Sequence, residues 1–382
     1  LFHEVSLLKQ NLVQPADCED REEILEPYRA YEAFLEKQGA LDLDDLVVHP
    51  VRLLREYPQV AQRIADTTAR YLLVDEFQDV NRAQYEMVRL LGGTAGDGLF
   101  VIGDPDQAIY GFRGADWRFF HQFREDYPLT REVRLFRNYR SLGNILRAGE
   151  CVLDRSGTRE RIRAERSENT LVRMVQLPNA VTEGIFITRA IDAMLGGSTF
   201  LSLDSGVSTP TQERELGFAD FAVLYRQNTI GDALEEAFRS SGIPFQRARR
   251  ANPKDEVEAL DPRAQAVTLM TIHASKGLEF PVVFVAGCED GIIPCTRTGE
   301  SETNLLDIDE ERRLLYVAIT RAETDLFLTS ARTRTLFGKT FNPQLSPFLR
   351  SIDRSICQFL DPLAGRKGEA QPAPVQYELF QG

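Results

Sequence analysis

Tyr71-Leu72-Leu73-Val74-Asp75-Glu76-Phe77-Gln78-Asp79 and, further along, Leu99-Phe100-Val101-Ile102-Gly103-Asp104-Pro105-Asp106-Gln107 decide the fold. Each is a short, unbroken apolar run that ends in acids. A half-exposed strand alternates apolar and polar residues, whereas an unbroken run marks a strand covered on both faces, as in a parallel sheet. Between the two runs, Arg82 to Leu91 reads as a helix, which makes the unit strand, helix, strand. Downstream the alternation continues, with strands expected at Leu171–Leu177, Phe221–Tyr225, Val267–Ile272, Val282–Ala286 and Asp325–Thr329. Helices are expected at Ser141–Leu153, Val181–Leu195, Ile230–Ser240 and Asp309–Arg321. Upstream, Ile24, Leu25, Tyr28, Tyr31, Phe34 and Leu35 fall at helical spacing over Glu22–Gln38, with Gly39 as the stop. Asp44–Tyr57 reads as a second helix, bent or interrupted near Pro50. The class is α/β.

At 382 residues the chain has room for two or three domains. Its hydrophobic and charged fractions, 43% and 27%, are those of an ordinary soluble globular protein. No apolar run approaches the roughly 18 residues of a membrane span. The start, Leu1-Phe2-His3-Glu4-Val5, has neither the basic segment nor the apolar core of a signal peptide. It also lacks an initiator Met, so the chain is expected to be cut from something longer. Five scattered cysteines without a CxxC pair, and only four histidines, argue against a disulfide framework or a zinc site and for a cytoplasmic protein.

A net charge of −13 argues at first against nucleic acid, but binding depends on local patches. Charge is segregated: Arg131–Arg173 holds eleven arginines against six acids, whereas Ala16–Asp45 holds eleven acids against three bases. Gly196–Gly217 reads as a Ser/Thr/Gly-rich loop and Gly365–Gly382 as a disordered tail whose end partly resembles a protease-cleavage scar.

Five blocks carry chemistry. First, the strand before Asp75 and Glu76 delivers two carboxylates to the C-terminal edge of a sheet, where α/β proteins bind ligands. One such carboxylate can hold Mg²⁺ and the next can deprotonate an attacking water. Acids at a strand end are also common without function. Second, Gln107 follows a tight turn, and an amide that both donates and accepts can sense a γ-phosphate. Tyr110, Phe112 and Arg113 come next and suit base stacking, with core packing as the alternative for the two rings. Third, Asn138-Tyr139-Arg140-Ser141 opens a helix inside the basic stretch. Fourth, Val267 to Phe280 is a strand feeding a polar loop whose Thr271, His273 and Ser275 suit phosphodiester contacts. Fifth, Glu310 to Ala322 reads as a helix closing on Arg321, where a cation also suits the helix dipole.

In this order the five blocks resemble motifs II to VI of the UvrD/Rep/PcrA-type superfamily 1 DNA helicases, over roughly Leu41–Thr329. Leu41-Asp42-Leu43-Asp44-Asp45-Leu46 and Phe221-Ala222-Val223-Leu224-Tyr225-Arg226 also resemble family segments. The resemblance implies two RecA-like parallel-sheet domains, the first incomplete, with a partial helical accessory domain at the N-terminus. It implies a remnant of accessory domain 1B over 1–46, the C-terminal part of the first RecA-like domain over 47–132, the second over 133–350, and a tail over 351–382. It implies ATP and Mg²⁺, with Asp75 as metal carboxylate, Glu76 as catalytic base and Gln107 as γ-phosphate sensor. Tyr139 would stack on adenine, Glu279 would lie near the ribose, and Arg140 and Arg321 would reach the γ-phosphate. Phe112 stands where the family often has a Trp stacked on a DNA base, with Tyr110 beside it. Thr271, His273 and Ser275 would make DNA-strand or coupling contacts. The implied activity is ATP-dependent, 3′-to-5′ translocation on single-stranded DNA and at junctions with duplex.

Two departures stand out. GxxxxGK[ST] is absent from the 382 residues, so no loop of amides with a Lys cradles the phosphates. The chain is therefore expected to be the C-terminal portion of a helicase, inactive alone, whose partner is the missing N-terminal part. Only Gln246 to Gln265 stands where the family inserts its large 2B domain, which is expected to be absent or minimal. Two rivals remain: a non-catalytic helicase-like module for DNA binding or interaction, and the motor part of a helicase–nuclease.

Overall fold

The computed structural model describes residues 1–18, 22–67, 70–93, 96–153, 162–196, 216–248, 260–261, 263–295, 305–336 and 338–360. The Gly196–Gly217 loop lies almost wholly outside them, as do the middle of Gln246–Gln265 and the tail from 361. The chain divides into two units. The first comprises Leu1–Arg137, Gly157–Ile162 and Gly299–Val317, and the second comprises the remainder.

The first unit opens with four helices, α1 (Phe2–Gln10), α2 (Glu22–Gln38), α3 (Asp45–Glu56) and α4 (Pro58–Thr67). α3 runs through Pro50 without the expected break, its Val48, Val51 and Leu54 buried on one face. The acids of Leu41–Leu46 turn out to be joinery. Asp42 and Asp45 each accept the other's backbone N–H, and Asp44 accepts from Ser6 and Gln10 of α1. Lys9, only 2% exposed, reaches Glu32, Asp42 and Asp45 at 3.0, 2.8 and 2.6 Å.

Next come β1 (Leu72–Val74), α5 (Arg82–Gly92), β2 (Leu99–Val101) and α6 (Phe119–Asp126). β1 and β2 pair in parallel, Leu73 opposite Phe100. Val74, Leu99 and Val101 pack on a cluster of Phe77, Val80, Tyr85, Phe123 and Tyr127. The other face is open: Leu73 is 72% and Phe100 57% exposed. An Asn81–Gln84 capping box starts α5.

At the border of the second unit, β3 (Arg137–Asn138) pairs with β4 (Arg163–Ala164), flanking α7 (Gly143–Val152). There follow β5 (Val172–Asn179), α8 (Ala180–Met194), β6 (Phe221–Tyr225), α9 (Asn228–Ser241), β7 (Phe245–Arg247), β8 (Val267–Thr271) and β9 (Phe280–Ala286). α10 (Leu305–Ile319), β10 (Ala322–Leu336), β11 (Lys339–Phe341) and β12 (Cys357–Leu360) complete the chain's described elements. The strands form one sheet in the order β12-β5-β10-β9-β6-β8-β7, all parallel, with β11 antiparallel on β10. β6, flanked by β9 and β8, is buried at every residue, as its unbroken apolar sequence requires.

Two expectations change here. Residues 351–360 do not begin a tail, because Cys357–Leu360 adds an edge strand beside β5. α10 ends at Ile319, so Arg321 lies in the turn before β10 and does not close the helix. In the core, Phe284 stacks on Phe327 at 4.3 Å. Arg334 is buried between Glu183 and Glu289, at 2.6 and 2.5 Å, and so joins α8 and the segment after β9 to the far part of β10.

Candidate functional site

In the first unit the parallel pair β1–β2 sends two loops off its C-terminal edge. Asp75 and Glu76 leave β1, and both are exposed. Glu76 has φ 49° and ψ 43°, a left-handed conformation that costs a non-glycine residue about 1–2 kcal/mol. A short 3-10 turn, Phe77–Asp79, follows and buries Phe77 and Gln78. Exposed carboxylates at this edge suit a hydrated Mg²⁺ on Asp75 and a water facing Glu76. A cavity of about 350 Å³ lies alongside, lined by Leu72, Val74 and Val88 and rimmed by Asp75, Glu76 and Asp79.

The second loop leaves β2. Asp104 caps a 3-10 turn by accepting the Asp106 N–H. Gln107 donates its amide to Asp104 Oδ2 at 2.9 Å. The two loops are stitched together: Phe77 N–H donates to Ile102 O at 3.0 Å, and Asp104 N–H donates to Gln78 Oε1 at 2.9 Å. Gln78 Nε2 in turn donates to Glu76.

The chain then anchors Ile109, fully buried, and presents Tyr110, Phe112 and Arg113. Tyr110 and Phe112 meet edge to face at 6.2 Å, with the Arg113 guanidinium 5.3 and 5.5 Å from their centroids. Burial, and then the charge of Asp79, raise the Tyr110 hydroxyl above its ordinary pKa. Phe112 is 48% exposed, so the core-packing alternative does not describe it. Glu310 of α10 accepts the Gly111 N–H at 3.1 Å, and Arg313 donates to Ala108 O at 2.8 Å.

In the second unit, Asn138 accepts the N–H groups of Arg140 and Ser141 and so shapes the turn into α7. Tyr139 projects from this turn, 70% exposed. Arg140 donates to Glu279. Arg321 is only 2% exposed, and its Nη1 donates to Leu278 O at 3.1 Å. The Phe280 N–H donates to Arg321 O at 2.9 Å. Arg140, Glu279 and Arg321 therefore gather where β9 and β10 begin. Thr271 and His273 lie at the opposite edge, because β8 ends there and all these strands are parallel. One segment, 272–279, spans the two edges.

Ser275 departs from expectation. It is fully buried and donates its hydroxyl to Ile272 O at 2.7 Å, which fixes the turn and leaves no face for a phosphodiester. Sequence reasoning passed over Gln78, Asp104, Glu310 and Arg313. Gln78 and Asp104 stood inside the decisive motifs, and the glycine at 103 was the signal. A Cβ there would stand 2.3 Å from Gln78 Oε1 and 2.9 Å from Phe77 N.

Comparison with known proteins matches residues 3–128 to the UvrD/REP helicase N-terminal domain and 249–333 to the UvrD-like helicase C-terminal domain, together more than half of the chain. The first match corrects the expectation of a C-terminal portion only, since α1 to α6 carry N-terminal-domain sequence. The ATP-dependent DNA helicase UvrD1 of Mycobacterium tuberculosis (strain ATCC 25618 / H37Rv) is 29% identical over 560 residues, 98% of this chain and 72% of that protein. The ATP-dependent DNA helicase PcrA of Staphylococcus epidermidis (strain ATCC 12228 / FDA PCI 1200) is 28% identical over 509 residues, 95% and 69% of the two. Both spans exceed 382 residues, so each relative holds residues within the matched region that this chain lacks. A solved C-terminal domain of a possible DNA helicase from Lactobacillus plantarum WCFS1 is 18% identical, with a TM-score of 0.35, over 58% of this chain and 98% of that one. The chain belongs to the UvrD/PcrA-type helicase family.

Proposed function

We propose that this chain is the hydrolysing and DNA-gripping part of an ATP-dependent DNA helicase or translocase that moves 3′ to 5′. The observation that carries the reading is one short segment. The chain leaving β2 holds Gln107, bonded through Asp104 towards Glu76, and a few residues later the exposed ring of Phe112. A loop of this kind can transmit a change at the nucleotide to a base stacked on the ring.

In this reading Glu76 takes the proton of the attacking water, Asp75 holds Mg²⁺ and Gln107 meets the γ-phosphate. Tyr139 stacks on adenine and Glu279 faces the ribose. Arg140 is the more accessible of the two phosphate-directed arginines, because Arg321 is held by the Leu278 carbonyl. Tyr110, Phe112, Thr271 and His273 meet single-stranded DNA near its junction with duplex, and Ser275 supports them from within. The protein works in the cytoplasm; no helix among the described residues is long and apolar enough to cross a membrane.

The phosphates need a cradle that these 382 residues do not contain. A further segment, carrying a phosphate-binding loop and covering Leu73 and Phe100, completes the first RecA-like domain. The residues that the relatives hold in excess correspond to a 2B domain inserted where Gln246–Gln265 stands. The test is Phe112→Ala. Losing one base–aromatic stack weakens single-stranded DNA binding by about 1–3 kcal/mol, with the melting temperature unchanged. A variant that melts earlier but binds DNA as tightly per folded molecule overturns the platform.

A further inference from the structure

We propose that Gln78 is a positioning residue that holds Glu76 in its working geometry and ties it to the loop of Gln107. The inference rests on the hydrolytic reading above and adds a residue to it.

Gln78 is 1% exposed, and both ends of its amide are engaged. Its orientation follows from chemistry. The Asp104 backbone N–H can only donate, so it must meet Oε1, and Nε2 is left to face a carboxylate that can only accept. The connection therefore runs from the Glu76 carboxylate through the Gln78 amide to Asp104 N–H. From Asp104 it continues twice to Gln107. Oδ2 accepts the Gln107 side chain at 2.9 Å, and the Asp104 carbonyl accepts the Gln107 N–H at 2.9 Å. Displacing Gln107 moves Asp104, whose N–H donates to Gln78 Oε1.

Two further features fit this role. Glu76 has a left-handed backbone, so its carboxylate direction is not set by ordinary helix or strand geometry and benefits from a tether. Gly103 leaves room for the amide, since any Cβ there would run into Gln78 Oε1 and into the backbone of Phe77. Gln78→Glu sets a carboxylate against Glu76 at nearly constant shape. Gln78→Ala removes both bonds. Gly103→Ala displaces the amide from outside.

The first measurement is hydrogen exchange on the 382-residue chain. In Gln78→Ala and Gly103→Ala the amides of Asp104, Asp106 and Gln107 exchange about tenfold faster, the effect of losing one hydrogen bond of roughly 1.4 kcal/mol. The amides of Leu72 and Ile102 in the β1–β2 ladder stay protected. Unchanged exchange at Asp104, Asp106 and Gln107, or ladder and loop opening together, overturns the tether. The second measurement is ATP turnover with a phosphate-binding loop supplied in cis. The two Gln78 variants lower kcat roughly 10- to 100-fold, with KM for ATP within about threefold. With Glu76→Gln inactive, an unchanged kcat in both Gln78 variants overturns this inference alone. A Glu76→Gln variant that hydrolyses normally overturns the hydrolytic reading, and the inference with it.

Discussion

Leu73 and Leu224 both sit inside strands of parallel sheets and come from apolar runs of the same kind, yet Leu73 is 72% exposed and Leu224 fully buried. The difference lies in the neighbours. Leu224 belongs to β6, which has a strand on either side and helices in the same unit to cover it. Leu73 belongs to a two-stranded sheet with one covered face, and its cross-strand partner Phe100 is exposed too. An apolar run states that a strand needs two covers, and it does not say which chain segment provides them. Leaving a Leu and a Phe in water forgoes about 1.5–3 kcal/mol for each. The second unit is a finished core; the first holds the chemistry of the decisive motifs on an open sheet.

The largest effects should fall on the finished core. Phe284→Ala removes the ring stacked on Phe327 and should cost about 3–5 kcal/mol in urea unfolding. Phe100→Ser on the open face should change stability by no more than about 0.5 kcal/mol while reducing self-association. Equal losses from the two would break the comparison.

The buried ion clusters sharpen it. Arg334→Met strands Glu183 and Glu289, both 1% exposed, and should cost about 3–5 kcal/mol. Lys9→Met strands Glu32, Asp42 and Asp45; the first two are 30% and 18% exposed and can rehydrate, and Asp45, 3% exposed, keeps the Asp42 N–H, so the loss should be about 1–3 kcal/mol.

The two clusters also respond oppositely to pH. Burial pushes the Glu289 carboxyl above its usual range, against the opposing pull of Arg334. The folded state then binds that proton more tightly than the unfolded one. Acidification through the window between the ordinary glutamate value and the raised one therefore stabilises the second unit, and this gain is lost as pH rises. At Asp42 burial acts upward too, but hydrogen bonds from Lys9 and the Asp45 N–H outweigh it and hold the carboxyl low. That contribution is present above the ordinary aspartate value and lost as pH falls through the lowered one. Urea titrations of wild type and the Lys9→Met and Arg334→Met variants between about pH 3 and 7 should show the two slopes with opposite sign. A common sign would mean that the clusters do not control the response.

Much of this was legible in the residues. Unbroken runs at Phe221–Tyr225 and Val282–Ala286 marked buried parallel strands, and acids after Val74 marked the C-terminal edge of a sheet. Three things were hidden. The end of α10 could not be read, because Thr320 and Arg321 continue its pattern while the Arg321 carbonyl is already claimed by Phe280. Cys357–Leu360 is too short and too mixed to announce an edge strand. Ser275 reads as a contact residue because hydroxyls serve phosphates and backbone turns equally, and only burial separates the two uses. Gln78 was in plain view, but an amide between two loops has no sequence period to betray it.

The central claim is that this chain holds the base, sensor and stacking platform of an ATP-driven motor but not the phosphate cradle. Its most direct test is ATP turnover by the 382-residue chain alone, with and without single-stranded DNA, beside Glu76→Gln. Turnover should stay at the blank with or without DNA, and should emerge only once a GxxxxGK[ST] segment is joined to the chain. DNA-stimulated turnover by the chain alone, abolished by Glu76→Gln, would contradict the claim.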